Sequence, residues 1–278
     1  MSLRVAAIQL NSTADKAGNI DAAARLVAAA AADGATLVVL PEKWNLLGPA
    51  DELGRGAEEL QTGQSIDAAR SWARELEITL VAGSIAERVD AEKRLFNTSC
   101  VIDSDGEIAA VYRKIHMFDV EVGGVSYRES EHEQPGEEIV ETTIAGVELG
   151  LTICYDVRFP ELYRILAVRG ATVIVVPAAF TTTTGRDHWE VLLRARAIEN
   201  QAFMIAPNQS GKAPPHYDSY GHSMIIGPWG EVLAVAGDGE GFVCADLDLD
   251  RQEEIRSSLP SLANRRPQAY RWEVETSV

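Results

Sequence analysis

The chain has 278 residues, near the upper end for one domain, and 46% of them are hydrophobic, which is enough for a large buried core. Its 42 acidic and 25 basic residues give a net charge of −17, which argues against nucleic acid or an anionic membrane as a partner. Three widely spaced cysteines argue against a disulfide framework, and the pattern shows neither an amino-terminal signal nor a membrane-spanning apolar run. These features predict a single domain over residues 1–278 in a reducing cytoplasm, with positions 259–278 as an extended tail against a partner subunit.

Two stretches of the sequence share one plan, in which a strand, an apolar-faced helix and a second strand follow one another. The first comprises Arg4–Gln9, Asn19–Asp33 and Thr36–Leu40, and the second comprises Val147–Ile153, Pro160–Arg169 and Thr172–Val176. Each plan ends at a proline, Pro41 or Pro177. Such β-α-β units favour parallel strands joined by a right-handed crossover. The repetition predicts an internal pseudo-two-fold arrangement.

The segments between and after these units predict further helices and strands. A helix with an apolar stripe over Ile66–Leu76 precedes a strand over 78–82. Turn sequences predict three hairpins, centred on residues 104–106, 145–146 and 227–230. Asp187 and Glu190 have capping-box spacing, which predicts a helix over 187–199. The simplest arrangement that buries all these faces is mixed α/β, with helices covering two sheets.

Three side chains with useful chemistry directly follow apolar strand patterns. Glu42 comes after ATLVVL and a proline, Lys114 comes after IAAVYR, and Cys154 comes after VELGLTI. In open α/β sheets, functional groups collect in the crevice outside the carboxyl ends of the strands. Three separate strands are therefore predicted to deliver a carboxylate, an ammonium group and a thiol to one site.

This set of side chains suits acyl transfer by a thiol. Cys154 is the candidate nucleophile, and a nearby positive charge is expected to lower the pKa of its thiol and favour the thiolate. Glu42 would move the proton and Lys114 would stabilise a developing oxyanion. Cys100 and Cys244 lie inside strand patterns and are expected to be ordinary buried cysteines. The five histidines form no metal-binding motif with the cysteines, although spacing alone leaves a Cys–His arrangement open.

The three candidate residues occur within longer motifs that resemble the signatures of the nitrilase, or carbon–nitrogen hydrolase, superfamily. These motifs are Leu-Pro-Glu42, Tyr-Arg-Lys114-Ile-His-Met-Phe-Asp and Gly-Leu-Thr-Ile-Cys154-Tyr-Asp-Val-Arg-Phe-Pro-Glu-Leu. The further motifs Arg-Glu129-Ser, Pro-Ala-Ala-Phe-Thr-Thr-Thr-Thr-Gly185 and His188-Trp-Glu are similar to the Nit branch, which includes ω-amidases and deaminated-glutathione amidases. The resemblance extends from about residue 4 to about residue 270.

The resemblance implies a four-layer α-β-β-α sandwich that dimerises through its helices and uses no metal or organic cofactor. It implies that Cys154 attacks an amide or nitrile carbon while Glu42 transfers protons. Lys114 would stabilise the tetrahedral intermediate, together with the backbone N–H of Tyr155. Glu129 matches a second family glutamate that orients Lys114 or the substrate, whereas its charged surroundings alone are typical of a solvated loop. The remaining residues assigned to substrate binding are Arg158, Phe180, Thr181 and His188.

The resemblance also bears on the substrate. Arg158 is a candidate bidentate anchor for a substrate carboxylate, or else a structural partner of Glu161. The predicted substrate is accordingly a small ω-amide that carries a carboxylate and releases ammonia. Arg186-Asp187 and the segment 211–220 depart from the Nit pattern, and we expect both at the mouth of the pocket. Nitriles or N-carbamoyl compounds as substrates, a catalytically silent binding protein and a thiol redox sensor stay open as alternatives.

Overall fold

The computed structural model describes residues 2–89, 94–213 and 217–269. Within these ranges the α-helices are Lys16–Ala32 (α1), Ala50–Gly56 (α2), Gln64–Glu75 (α3), Pro160–Arg169 (α4), Thr182–Asn200 (α5) and Leu249–Ser258 (α6). The strands of the first half are Ser2–Gln9 (β1), Leu37–Val39 (β2), Thr79–Val81 (β3), Ile85–Glu87 (β4), Phe96–Ile102 (β5), Ile108–Arg113 (β6), Asp119–Val122 (β7) and Val125–Arg128 (β8). Those of the second half are Glu141–Ile144 (β9), Val147–Leu151 (β10), Val173–Val175 (β11), Phe203–Ala206 (β12), Ser210–Ala213 (β13), Tyr217–Tyr220 (β14), Met224–Ile226 (β15), Val232–Val235 (β16) and Gly241–Asp248 (β17). Short 3-10 helices cover Glu129–Glu131, Cys154–Arg158 and Pro267–Ala269.

Two large sheets form the centre of the molecule. The first has the strand order β17-β1-β2-β3-β5-β4, with β6 paired to β5, and the second has the order β16-β15-β12-β11-β10-β9. In each sheet three neighbouring strands are parallel, β1, β2 and β3 in one and β10, β11 and β12 in the other. Antiparallel strands flank each parallel set. The short ribbons β7–β8 and β13–β14 are paired separately from both sheets.

Alternating side chains distribute the core over both faces of the first sheet, as a pleated strand requires. Val5 and Leu37 belong to the core that the two sheets share, whereas Ala6 and Val38 pack into a second core with α1 and α3. The helices α4 and α5 add apolar side chains such as Trp189 to the core around the second sheet. The result is the predicted four-layer α-β-β-α sandwich.

The predicted pseudo-two-fold arrangement is confirmed in the strand order. Helix α1 connects the parallel strands β1 and β2, and α4 connects the parallel strands β10 and β11. The three predicted hairpins are the antiparallel pairs β5–β6, β9–β10 and β15–β16. Between β9 and β10, Ala145 and Gly146 have φ values of 53° and 77°, which is the left-handed backbone that a two-residue hairpin turn uses.

The prediction for helix α5 is wrong at its start. The helix begins at Thr182, after Thr181 as its N-cap, and Asp187 lies inside it instead of capping it. A run of β-branched threonines has a low helix propensity, but tertiary packing overrides that preference. Here Gly185 packs so closely on Tyr220 of β14 that a Cβ would come within 2.4 Å of the ring. The capping-box spacing of Asp187 and Glu190 is therefore incidental.

The carboxyl-terminal segment differs from the predicted extended tail. Its described part turns at residues 261–264 and ends in the 3-10 helix Pro267–Ala269, while positions 270–278 of the predicted tail lie outside the described residues. Gln201 anchors the start of this part, because its Nε2 donates to the carbonyl of Leu259 at 2.7 Å. None of the helices in the described ranges has the length and apolar character needed to cross a bilayer.

Candidate active site

Glu42, Lys114, Glu129 and Cys154 line one cavity of about 420 Å³. Glu42 lies three residues after β2, Lys114 directly follows β6, and Cys154 lies three residues after β10 as the first residue of a 3-10 helix. Glu129 directly follows β8. The structure thus brings the three residues selected at strand ends, and the fourth suggested by resemblance, to the same place.

The ammonium group of Lys114 lies between two carboxylates. Its Nζ is 3.1 Å from Glu42 Oε1 and 2.9 and 2.8 Å from the two oxygens of Glu129. Burial opposes the charge of Lys114, but Glu129 and Glu42 outweigh it and raise the pKa of the lysine well above its ordinary value. The site therefore keeps a permanent cation where negative charge would develop on a substrate.

Glu129 is held as an anion by its cationic neighbours. Burial favours its neutral acid, but the charges of Lys114 and Lys43 lower the pKa of Glu129 to about 2. The backbone N–H of Phe118 also donates to its Oε2 at 2.6 Å. The ribbon β7–β8 carries Glu129 to the cavity, and this ribbon had no signal in the hydrophobic pattern. Resemblance to the family was therefore the one route to Glu129 from sequence.

The carboxylate of Glu42 is buried and fixed from both sheets. Its Oε1 accepts a hydrogen bond from Asn97 Nδ2 at 2.8 Å, and Asn97 belongs to β5 of the first sheet. Its Oε2 accepts from the backbone N–H of Ala179 at 2.9 Å, in the segment after β11 of the second sheet. With only 4% of Glu42 exposed, these contacts orient the carboxylate toward its neighbours in the cavity.

The thiol of Cys154 shares the cavity wall with the carboxylate of Glu42 and the ammonium group of Lys114. Burial, followed by the negative charge of Glu42, raises the pKa of this thiol well above its ordinary value, against the opposing charge of Lys114. The expectation of a lowered thiol pKa is therefore wrong. A cation is present, but burial and the charge of Glu42 outweigh it, so the resting side chain is a neutral thiol beside a carboxylate.

The turn that presents Cys154 is strained and braced. Cys154 has a φ of 48°, a left-handed conformation that is costly for a residue with a Cβ, and its N–H donates to Pro177 O at 2.8 Å. The buried Asp156 holds this turn, because its Oδ2 accepts from the Tyr112 hydroxyl at 2.7 Å and from Ile153 N at 2.8 Å. Tyr112 lies two residues before Lys114, so this bond also ties the β6 end to the nucleophile turn.

The residues assigned to substrate binding fall into two groups. Tyr155, Phe180 and Thr181 line the cavity, whereas Arg158 and His188 are not part of its described wall. The guanidinium of Arg158 donates to His188 Nδ1 at 3.3 Å. It also lies 5.2 Å from the ring centroid of Phe180 and 5.8 Å from that of Tyr155. Arg158 is thus packed beside two lining aromatic rings, and its side-chain partner is His188 instead of the suggested Glu161.

Several residues of the cavity wall had no signal in the sequence. Lys43 and Glu133 line it as an ion pair with a 2.7 Å separation, and Arg128 is exposed at its edge. Arg186-Asp187 and the described part of segment 211–220, both expected at the mouth, are not among the lining residues. Within the described residues, no group of three His, Cys, Asp or Glu side chains is arranged to hold a metal ion.

Comparisons with known proteins agree with this geometry. The family model of carbon–nitrogen hydrolases matches residues 4–257. The chain is 40% identical to the human omega-amidase NIT2 over 99% of both chains, and 41% identical to a deaminated glutathione amidase of Synechocystis sp. PCC 6803 over 94% of this chain and 97% of the relative. The crystal structure of Saccharomyces cerevisiae Nit3, a member of branch 10 of the nitrilase superfamily, matches with a TM-score of 0.87 and 32% identity over 97% of both chains. The chain belongs to the carbon–nitrogen hydrolase family, and it is a hydrolase of carbon–nitrogen bonds other than peptide bonds.

Proposed function

We propose that this protein hydrolyses the amide bond of a small carboxylate-bearing amide and releases ammonia through a thioester on Cys154. The observation that carries the proposal is the cavity that Cys154 shares with Glu42 and Lys114, in which Glu42 Oε1 lies 3.1 Å from the Lys114 ammonium. A nucleophile, a proton acceptor and a fixed cation are thereby assembled before substrate arrives. The names of the relatives, an omega-amidase and a deaminated glutathione amidase, support amides of this kind.

Acylation begins when Cys154 Sγ attacks the amide carbonyl carbon and its proton passes to Glu42. The C=O π electrons move to oxygen, and the resulting oxyanion is stabilised by Lys114 and the N–H of Tyr155. When the carbonyl re-forms, the C–N bond breaks, and the nitrogen takes the proton from Glu42 and leaves as ammonia. Because the thiol is neutral at rest, Glu42 must accept its proton during attack.

Deacylation uses the same residues in reverse. Water attacks the thioester carbonyl as Glu42 removes one of its protons, and Lys114 again faces the oxyanion. Collapse of this second intermediate breaks the C–S bond, returns the proton to the Cys154 sulfur and releases the carboxylic acid. Glu129 takes no proton in this scheme, because its low pKa keeps it an anion that holds Lys114 in place.

The substrate carboxylate has two candidate anchors. Arg158 is the predicted one, and its position over Phe180 would require the substrate to reach past that ring. Arg128 is exposed at the cavity edge, where its Nη1 donates to the carbonyl of Tyr127 at 2.8 Å. Arg128→Ala and Arg158→Ala variants separate them. We expect the anchor's loss to raise KM about 10- to 100-fold for a carboxylated amide, and to leave KM for an uncharged amide unchanged.

The proposed reaction is tested by ammonia release from a panel of compounds. The panel comprises α-ketoglutaramate, deaminated glutathione, uncharged ω-amides, N-carbamoyl amino acids and nitriles. We expect the carboxylated amides to give the highest kcat/KM, and intact-mass spectrometry to detect a covalent acyl adduct that Cys154→Ala lacks. Higher kcat/KM for nitriles or N-carbamoyl compounds would replace the amide assignment. Binding without any turnover would instead indicate the catalytically silent class.

We further propose that the protein acts in the cytoplasm as a homodimer or larger homo-oligomer. Large apolar side chains are exposed on the outer helices and on the loop before β16; they are Ile165, Val168, Val191, Ile198 and Trp229. Exposed large apolar side chains are typical of an interface when they lie together in one patch. Sedimentation analysis tests this proposal, and a Val191→Asp/Ile198→Asp variant is expected to shift the mass toward the monomer.

A further inference from the structure

A second buried ion pair lies beside the proposed catalytic residues. Lys43 Nζ is 2.7 Å from Glu133 Oε1 and 4.0 Å from Glu129 Oε1. The side chains of Lys43 and Glu133 are only 12% and 2% exposed, and both residues line the cavity. Lys43 is the residue directly after Glu42 in the chain, so this pair is linked to the proposed base by covalent structure as well as by charge.

The pair is costly to maintain, which points to a role beyond packing. Two charges removed from water are often no more stabilising than well-packed apolar side chains of similar volume. In addition, Lys43 has a φ of 51°, and the Oε2 atom of Glu133 is buried without a hydrogen-bond partner among the described residues. Left-handed backbone in non-glycine residues concentrates at functional sites, and Cys154 has the same feature across the cavity.

The contacts arrange five buried ionisable side chains so that acidic and basic groups alternate. They run from Glu42 through Lys114, Glu129 and Lys43 to Glu133. Glu129 is the shared member, because both ammonium groups compete for its carboxylate. The Lys43 charge therefore limits how strongly Glu129 holds Lys114, while Glu133 fixes where Lys43 sits.

We infer that Lys43, anchored by Glu133, is a positioning residue for the Cys154 centre, because it shares Glu129 with Lys114 and so sets the position of Lys114. The expected effect of Lys43 on kcat rests on the proposed amide hydrolysis. Lys43 does not touch the reacting atoms in this role, and it acts through Glu129. The pair is accordingly expected to affect kcat and the reactivity of the thiol, and to leave substrate binding unchanged.

Lys43→Met and the double variant Lys43→Met/Glu133→Leu test the role of the charge. We expect both to lower kcat about 10- to 100-fold with KM unchanged, because small displacements of catalytic groups have effects of this size. The double variant replaces both charged residues with apolar side chains of similar length. If the pair served only packing and stability, this variant would therefore keep the wild-type kcat. Lys16→Met is the matched control, since Lys16 pairs with the half-buried Glu58 at 2.5 Å outside the cavity wall and its loss should leave kcat unchanged.

Alkylation of Cys154 by iodoacetamide provides a readout that needs no amide turnover. Loss of the Lys43 cation leaves more negative charge near the thiol, so Lys43→Met should be alkylated more slowly than wild type at every pH. The double variant should be alkylated more slowly at pH 6, where the lost Glu133 carried no charge, and close to the wild-type rate at pH 8.5, where a cation and an anion are lost together. Glu133→Gln should match wild type at pH 6 and react faster at pH 8.5, where wild-type Glu133 is an anion. Glu133 faces Lys43 and Glu129 directly, with Lys114 and Glu42 beyond them. Burial first, and Glu129 as well, raise its pKa to about 7 against the charge of Lys43.

The measurements of kcat, KM and alkylation rate together decide whether Lys43 has the inferred positioning role. Wild-type kcat together with wild-type alkylation at pH 6 in the double variant would overturn the inference, as would a Lys43→Met variant that behaves like Lys16→Met. A raised KM with unchanged kcat in Lys43→Met would also overturn it, because Lys43 would then bind substrate. If no compound of the panel is hydrolysed while alkylation changes as expected, the proposed function fails and the positioning role stands.

Discussion

The two β-α-β units share a topology but place different chemistry at equivalent positions. Three residues after its first strand, the β10-α4-β11 unit has Cys154 and the β1-α1-β2 unit has Ser12. Three residues after the second strand, the corresponding residues are Ala178 and Glu42. Cys154 and Glu42 line the cavity, whereas Ser12 and Ala178 are not among its described lining residues.

Hydrogen bonding explains why the equivalent positions differ. The hydroxyl of Ser12 donates to Trp44 O at 2.8 Å, and its N–H donates to Gln209 Oε1 at 2.9 Å. Both polar groups of Ser12 are thus used in holding loops together, while Cys154 lines the cavity with Glu42. The fold thus provides equivalent strand ends in both units, and the proposed nucleophile lies at one of them while the proposed base lies at the other.

The largest expected effect comes from removing Cys154, the proposed nucleophile. Cys154→Ala should lower kcat for amide hydrolysis about 10⁴-fold or more, because no other group in the scheme forms the thioester. Ser12→Ala is the matched variant in the other unit, and it should keep the wild-type kcat while losing about 1–2 kcal/mol of unfolding free energy. Steady-state ammonia release and urea denaturation measure the two quantities. Turnover near the wild-type level in Cys154→Ala would show that Cys154 does not form the thioester.

A smaller loss is expected when the base is replaced. Glu42→Gln keeps the size and most hydrogen bonds of the side chain but does not accept the Cys154 proton, so kcat should fall about 10²- to 10⁴-fold. The control is Glu87→Gln, since Glu87 is another buried carboxylate, paired with Arg113 outside the cavity wall. Equal losses in the two variants, measured under identical conditions, would show that Glu42 acts through stability alone.

The smallest effect concerns the free energy of unfolding. It distinguishes the part of the cavity that holds Glu133 and Lys43 from the part that holds the neutral thiol of Cys154. Burial raises the pKa of Glu133 to about 7 from an unfolded value of 4.5. Between pH 4.5 and 7 the unfolded chain therefore loses this proton while the folded protein keeps it, so wild type loses up to about 3 kcal/mol of stability as pH rises through that window. Glu133→Gln should lack this loss, and its advantage in unfolding free energy should grow from pH 5 to pH 7 and then level off.

Glu129, four residues earlier, is expected to show the opposite pH dependence. Because Lys114 and Lys43 overcome burial and lower its pKa to about 2, its stabilisation is complete above the unfolded value of 4.5 and is lost as pH falls toward 2. Urea denaturation of wild type and Glu133→Gln across pH 3 to 8.5 resolves both windows. A stability difference between the two proteins that is flat with pH would contradict the raised pKa of Glu133.

Much of the fold followed from sequence because the relevant signals are local. Apolar runs bounded by Pro41 and Pro177 predicted the two β-α-β units, and the residues after the strands predicted that Glu42, Lys114 and Cys154 would meet. The start of α5 was mispredicted because the packing of Gly185 on Tyr220 lies outside any local pattern.

The rest of the site depends on long-range contacts that periodicity does not encode. Lys43 and Glu133 are ordinary charged residues in sequence, and they become significant only because folding buries them 2.7 Å apart. The shift in the pKa of the Cys154 thiol was likewise predicted in the wrong direction. The direction of this shift depends on burial and on the charge of Glu42 as much as on the nearby cation. The sequence shows which side chains can carry a positive or a negative charge, but it does not show how deeply folding buries them.

The neutral thiol has a consequence for the chemical durability of the protein. Peroxides attack thiolates far faster than thiols, and oxidation to sulfenic acid follows thiolate character and exposure. A sulfur kept protonated in a buried site should therefore survive oxidative conditions that inactivate enzymes with permanently ionised cysteines. Hydrogen peroxide should accordingly inactivate this hydrolase slowly at neutral pH, which is the opposite of what a redox sensor requires.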